Sequence, residues 1–407
     1  MAALAVLALA VTALPVSADE HATRFAVFNA SLNRGAAGEA LADLSGPDDA
    51  QAQNVAAIIQ RTRPEVLLLN EFDYEPDGAL VEAFQANYLA IAQADDLEPI
   101  SYEYSFVAPS NTGVASGLDL DNDGNAVSDP AAEGYGNDAF GFGLFPGQYG
   151  MAVLSQYPID ANSVRTFQEF VWADMPDALL PDDPETDAPA DWYSEDELAA
   201  VRLSSKSHWD VPIKVDGETV HFLVSHPTPP VFDGLEDRNG TRNHDEIRFW
   251  ADYVDGADYI YDDAGVAGGL AEGASFVIAG DQNADPFDGD STNQAILQLL
   301  DHPLVNTTVT PASEGGPEQS ELQGLANAEH QGDPAFDTAD FNPEDPGNLR
   351  VDYVLPSTSL DIVAAGVHWP RSDDPAFASV GVFDLETFTY PSSDHKLVWV
   401  DVVPAAE

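Results

Sequence analysis

The segment Phe276-Val277-Ile278-Ala279-Gly280-Asp281-Gln282-Asn283 runs from four apolar residues into a glycine, a carboxylate and an amide. Such an apolar run reads as a short buried strand with polar groups at its tip. Three other runs share the pattern. Arg24-Phe25-Ala26-Val27-Phe28 ends at Asn29, and Val66-Leu67-Leu68-Leu69 ends at Asn70-Glu71. Val220-His221-Phe222-Leu223-Val224 ends at Ser225-His226. Strand tips carrying Asn, Glu, His and Asp suggest one site along a common sheet edge, where α/β proteins commonly bind ligands. Helices are expected between the strands. Residues 50–62 read as one, stopped by Pro64, and residues 243–255 as another, starting near Asn243 or Asp245.

Each candidate group has two readings when taken alone. Asp281 and Asn283 suit a hard cation and a phosphoryl oxygen, or form a turn that caps the strand. Ser393-Asp394-His395 offers a metal ligand beside a base, or a polar turn. Asp352, in Arg350-Val351-Asp352-Tyr353-Val354-Leu355, is either the buried partner of a histidine or half of a surface pair with arginine. His226, before Pro227-Thr228-Pro229-Pro230, is an acid or phosphate donor, or a structural histidine.

Composition narrows the choice. The chain has 407 residues, 71 acidic and 14 basic, for a net charge of −57, and 44% of its residues are hydrophobic. That is enough apolar material for a large core. A surface this acidic repels phosphate backbones at low salt, which excludes a generic electrostatic nucleic-acid binder and suits a salt-adapted protein. There is no cysteine, so disulfides, thiolate metal sites and thiol nucleophiles are excluded. Residues 1–18 carry no charged side chain and end in Val16-Ser17-Ala18. They read as a secretory signal cleaved after Ala18, with an N-terminal anchor as the alternative. The expected product is secreted or periplasmic, without a membrane span. Residues 19–407 form a single expected domain with acidic surface insertions near 108–148, 172–199 and 311–348.

The order of these motifs resembles the endonuclease/exonuclease/phosphatase superfamily. Asn29, Glu71, the stretch Gln148–Pro158, His226, Asp281 with Asn283, Asp352 and Asp394-His395 follow its sequence of motifs. The resemblance implies an α/β fold, a four-layer α-β-β-α sandwich of two packed mixed sheets flanked by helices. It also implies hydrolysis of phosphate mono- or diesters assisted by Mg²⁺, Mn²⁺ or Ca²⁺. Glu71 would hold the metal with Asn29 and Asp394 nearby, and His395, oriented by Asp352, would activate water. Asp281 would orient the nucleophile or assist the leaving group, while Asn283 and His226 would bind the phosphate. Some relatives give that histidine a carboxylate partner, for which Glu103 is a candidate here.

Two further features fall outside that pattern. Arg238–Arg248 concentrates three of the chain's eleven arginines, and Arg242 with His244 would suit additional phosphate oxygens or pair with neighbouring acids. Asp119, Asp121 and Asp123, followed by Gly124, resemble the start of a calcium loop, but the twelfth position is Pro130. A structural Ca²⁺ and a solvated acidic turn are the alternatives. Nearby segments read as an ordered loop able to roof the cleft. A small or soluble phosphate ester is the expected substrate; an extracellular nuclease cleaving DNA or RNA is the second reading, with nucleic acid as a partner only if it is the substrate. A non-catalytic, calcium-stabilised surface protein is the third reading, although none of the reactive motifs is lost.

Overall fold

The structure is a computed structural model that describes residues 22–383 and 389–405. The expected signal segment, residues 1–18, lies outside the described residues. The strands are β1 (Thr23–Leu32), β2 (Val66–Phe72), β3 (Tyr104–Phe106), β4 (Met151–Ser155), β5 (Arg165–Thr166) and β6 (His208–Val215). They continue with β7 (Glu218–Ser225), β8 (Ser275–Asp281), β9 (Asp352–Pro356), β10 (Leu360–Val367) and β11 (Val398–Pro404). One sheet has the order β10-β11-β1-β2-β4-β3 and the other β5-β6-β7-β8-β9. Both are mixed, because β1 runs parallel to β2 and β7 parallel to β8, while the remaining neighbours are antiparallel.

Alternation along each strand builds the layers. In β7, Phe222 and Val224 face the other sheet, whereas Leu223 joins the outer core. In β8, Val277 and Ala279 point inward, and Phe276 and Ile278 point outward. Phe25 of β1 meets Phe222 of β7 across the interface, with ring centroids 5.5 Å apart. A two-residue side-chain period therefore divides each strand between two apolar cores. Helix α1 (Ala50–Thr62) buries Val55, Ala56 and Ile59 beside the first sheet. Helix α2 (Arg238–Val254) buries Ile247, Trp250 and Val254 against Leu223, Phe276 and Ile278 of the second. The result is the expected four-layer α-β-β-α sandwich.

Helix α1 begins where Asp49 accepts from the Ala52 N–H at 2.8 Å, and it stops at Arg63, whose φ is 52°, before Pro64. Helix α2 corrects the expected start. It begins at Arg238 rather than near Asn243, because the Asp233 carboxylate, outside the helix, accepts the otherwise orphan Asn239 N–H at 2.6 Å. The expected surface insertions are also partly buried. Asn111, in 108–148, donates to the Gln168 carbonyl at 2.7 Å and the Ser204 carbonyl at 2.8 Å, tying this loop to the second sheet's approach. Among the described residues, no helix is long and apolar enough to cross a membrane.

Asp337 makes a testable contribution to stability. It is 7% exposed. Burial, reinforced by Asp285, Asp288 and Asp333, pushes its carboxyl from 3.8 up to about 8. The folded protein therefore holds this proton while the unfolded chain releases it, so this group's contribution falls as pH rises from about 4 to about 8. Asp337→Asn is expected to be more stable than the parent at pH 8 by about 2 kcal/mol in EDTA, with the gap closing toward pH 4. Thermal unfolding of both proteins across that range checks this. A gap independent of pH, or a less stable variant at pH 8, overturns it.

Candidate active site

The two parallel pairs send the C-terminal ends of β1, β2, β7 and β8 to the same edge of the sandwich. Asp281 is the hub there. Its Oδ2 accepts from Asn29 Nδ2 at 3.0 Å and lies 3.5 Å from His226 Nε2 and 3.6 Å from His395 Nε2. Its backbone N–H donates to Asn70 Oδ1 at 3.0 Å. These bonds join the tips of the two sheets directly. Within the second sheet, Gly280 lets the end of β8 lie close to the end of β7, because a Cβ there would collide with the Ser225 carbonyl. Asn283 has a left-handed φ of 51°, donates its N–H to Asp281 Oδ1 at 2.9 Å and its Nδ2 to the Pro227 carbonyl at 3.1 Å.

Glu71 also has a left-handed φ, 54°, at a point where the β1–β2 register shifts. Strained non-glycine backbone of this kind often marks functional positions. Its two carboxylate oxygens accept from Asn29 Nδ2 at 3.2 Å and Asn33 Nδ2 at 2.9 Å. Burial raises the Glu71 pKa, and the nearby Asp394 charge raises it further. The two carboxylates suit a hard divalent cation, whose charge would relieve that repulsion, while the Asn29 amide oxygen accepts from the Ser31 N–H at 3.2 Å and its NH2 faces Glu71.

His395 Nδ1 pairs with Asp352 Oδ2 at 2.8 Å, which leaves Nε2 facing Asp281. Thr338 Oγ1 donates to the same Asp352 oxygen at 2.9 Å, and Phe341 packs edge-on against the imidazole. Burial acts to lower the His395 pKa, but Asp352, Asp281 and Asp394 outweigh it and hold the pKa well above the ordinary value. Burial raises the Asp281 carboxyl to about 6. The ring and the Asp281 carboxylate thus face each other across 3.6 Å as a buried ion pair. His226 is the opposite case: burial, with Lys206 and His395 nearby, keeps it neutral.

These groups line a cleft of about 940 Å³. All three insertions contribute to its walls, through Phe142, Tyr193 and Phe341, for example. Glu71, His226, Asp281, Asn283, Asp394 and His395 all face it. Asn29 and Asp352 support them from behind.

Other expected residues go elsewhere. Arg242 borders the cleft, but its guanidinium donates to the carbonyls of Leu203, Phe140 and Arg202 at 2.8, 2.6 and 2.8 Å. It fastens loops, and these donors are not free for phosphate. His244 is not among the cleft-lining residues and pairs with Asp245 at 3.0 Å. Glu103 is exposed beside the edge strand β3, and among the described residues His226 Nδ1 has no hydrogen-bond partner. In the acidic loop, Asp119 and Asp121 gather with Asp138, not Asp123. Asp123 instead accepts from Asn125, so the calcium-loop spacing does not describe the cluster formed.

Several contributors had no motif to reveal them. Asn33, Asn70 and Thr338 act only through contacts that close on folding. On α2, Glu246 accepts from the N–H groups of Ser205 and Thr228 at 2.6 and 2.7 Å, holding the loops that carry Lys206 and His226. Lys206 lines the cleft itself, and the scarcity of lysine was its only signal.

Comparison with known proteins shows the family. The endonuclease/exonuclease/phosphatase family model matches residues 28–395. No curated protein sequence matches the chain. Among solved structures, an endonuclease/exonuclease/phosphatase from Beutenbergia cavernae is 17% identical, with 95% of this chain and 72% of that one covered and a TM-score of 0.47. A mannosyl-6-phosphatase from Bacteroides thetaiotaomicron is 13% identical, with 94% and 99% covered and a TM-score of 0.44. Sphingomyelinase C from Streptomyces griseocarneus is 15% identical, with 93% and 99% covered and a TM-score of 0.43. With the family model spanning every motif from the first strand to the terminal histidine, the chain belongs to the endonuclease/exonuclease/phosphatase family.

Proposed function

We propose that the protein is a divalent-metal-dependent phosphoesterase acting on small phosphate mono- or diesters. Members of the family hydrolyse phosphoester bonds, and the convergence of His395, His226 and Asn29 on Asp281 Oδ2 carries the reading for this chain. Glu71 and Asp394, with Asn29 close by, would hold the cation, which supplies charge neutralisation at the phosphate. Asp352 holds the His395 ring so that Nε2, in the fraction of molecules whose ring is neutral, accepts the water proton; the raised His395 pKa makes that fraction grow with pH. Asp281 orients that water, the water oxygen bonds to phosphorus and the ester P–O bond breaks. The leaving alkoxide takes a proton from solvent. Asn283 and His226 steady the phosphoryl oxygens.

The cleft rim favours small esters over a polyanion, since Asp285, Asp288, Asp290 and Asp345 all border it. A panel in Mg²⁺ with a chromogenic phosphomonoester, a chromogenic phosphodiester and plasmid DNA tests this reading. Cleavage of a small ester with DNA untouched is expected. Preferential DNA cleavage would make the protein a nuclease, and no turnover would remove the enzymatic reading. The apolar stretch 1–18 supports export, and N-terminal sequencing of protein recovered from culture medium tests it, with a mature start at Asp19 expected.

A further inference from the structure

The chain has three lysines, and they are differently employed. Lys214 is partly exposed, with Asp160 at 4.0 Å. Lys396 is buried, donates to the carbonyls of Ser393 and Asp394 at 3.2 and 3.0 Å and lies over Trp369 and Tyr390. Lys206 is 7% exposed and lines the catalytic cleft beside His226 and Asp281. Among the described residues its amine makes a single long hydrogen bond, 3.4 Å, to the Pro227 carbonyl. An ammonium group carries three donors, and leaving them unsatisfied in a low-dielectric site is costly. Glu246, the first of the carboxylates that act on it, already uses both oxygens to accept backbone N–H groups.

The surroundings hold Lys206 in place. The Asn111 N–H donates to its carbonyl at 2.8 Å, and the preceding Ser205 N–H is fixed by Glu246. The arginines of the same cleft are already engaged: Arg242 with backbone carbonyls and Arg238 with Glu236 at 2.6 Å. Both arginines keep N–H donors beyond these bonds, but each is anchored by short ones, whereas among the described cleft-lining residues Lys206 is the cationic side chain held by nothing shorter than 3.4 Å. We propose that Lys206 binds the non-bridging oxygens of the substrate phosphoryl group and so positions the ester against His395 and Asp281. This rests on the phosphoesterase reading. A pre-placed amine orders the substrate without first ordering a loop.

Inorganic phosphate is the probe. In the Mg²⁺-loaded wild-type protein, reductive methylation of each lysine is followed by mass spectrometry with and without phosphate. Phosphate is expected to slow labelling of Lys206 by about tenfold while leaving Lys214 unchanged. Equal labelling overturns the proposal, as does a Lys206 that resists the reagent without phosphate, because it would then be sealed from the cleft. Lys206→Met is expected to raise KM and the phosphate inhibition constant by about tenfold or more, with Lys206→Arg restoring part of the loss. A folded Lys206→Met with both constants within about twofold of wild type overturns it too. Wild-type turnover in the same buffer reads the parent proposal separately. Turnover with an unprotected Lys206 removes the lysine's role and keeps the esterase, whereas protection without turnover does the reverse.

Discussion

His395→Ala is expected to lower kcat for the preferred phosphoester by about a hundredfold to ten-thousandfold, the range for losing a positioned acid–base group. The imidazole is held between Asp352 and Asp281, with its Nε2 free toward the cleft. Alanine removes the proton acceptor and leaves the buried Asp352 carboxylate with only Thr338 as a side-chain donor. The same substitution therefore costs about 1–3 kcal/mol of stability. Activity must be read well below the variant's Tm to separate the two effects. Asp352→Asn offers a second reading. It retains a polar partner for the ring but alters its tautomer and proton affinity, so a smaller loss with a shifted pH profile is expected. A folded His395→Ala retaining more than a tenth of wild-type kcat would remove His395 from the chemistry.

Glu71→Gln is expected to uncouple stability from metal. In the wild type, burial and the Asp394 charge disfavour the Glu71 carboxylate. A neutral amide of the same shape relieves that repulsion; its oxygen can accept from Asn29 Nδ2, now 3.2 Å from Glu71, while its NH2 replaces the acceptor of Asn33 Nδ2, at 2.9 Å, and bonds there once the Asn33 amide turns its oxygen inward. In EDTA, Glu71→Gln should be no less stable than wild type. Addition of Mg²⁺ should raise the wild-type Tm but not that of the variant, because ligand binding stabilises only the state that binds. Activity should fall by about a hundredfold or more at Mg²⁺ concentrations that saturate wild type. A variant that keeps the Mg²⁺-dependent rise in Tm would place the cation elsewhere.

Much of the architecture was legible because strand patterning is local. The apolar runs before Asn29, Glu71, His226 and Asp281 became strands, and their polar tips share one edge. The helix over residues 50–62 was also legible, since Asp49 and Pro64 supply its start and stop signals within a few residues. The start of α2 was not, because its supporting acceptor, Asp233, lies outside the helical pattern.

Side-chain direction was the less legible part. Arg242 and His244 sit two residues apart on one helix, about 200° around its axis, so they cannot share a face. Helical spacing shows that separation, but not which side meets the cleft. Docking of α2 on the second sheet decided it, turning Arg242 toward loop carbonyls and His244 toward Asp245. Asp138 displaced Asp123 from the acidic cluster for the same reason, since residues far along the chain became neighbours.

The sequence by itself determined the strand tips, their reactive residues and the acidity that disfavours polyanionic partners, since residue type and short-range period carry those properties. Only the tertiary structure decided that Asn29 bonds Asp281 across two sheets, that three insertions wall one cleft and that Lys206 faces it with donors to spare. Those facts depend on how separate surfaces pack, and packing is set by the whole core rather than by any one segment.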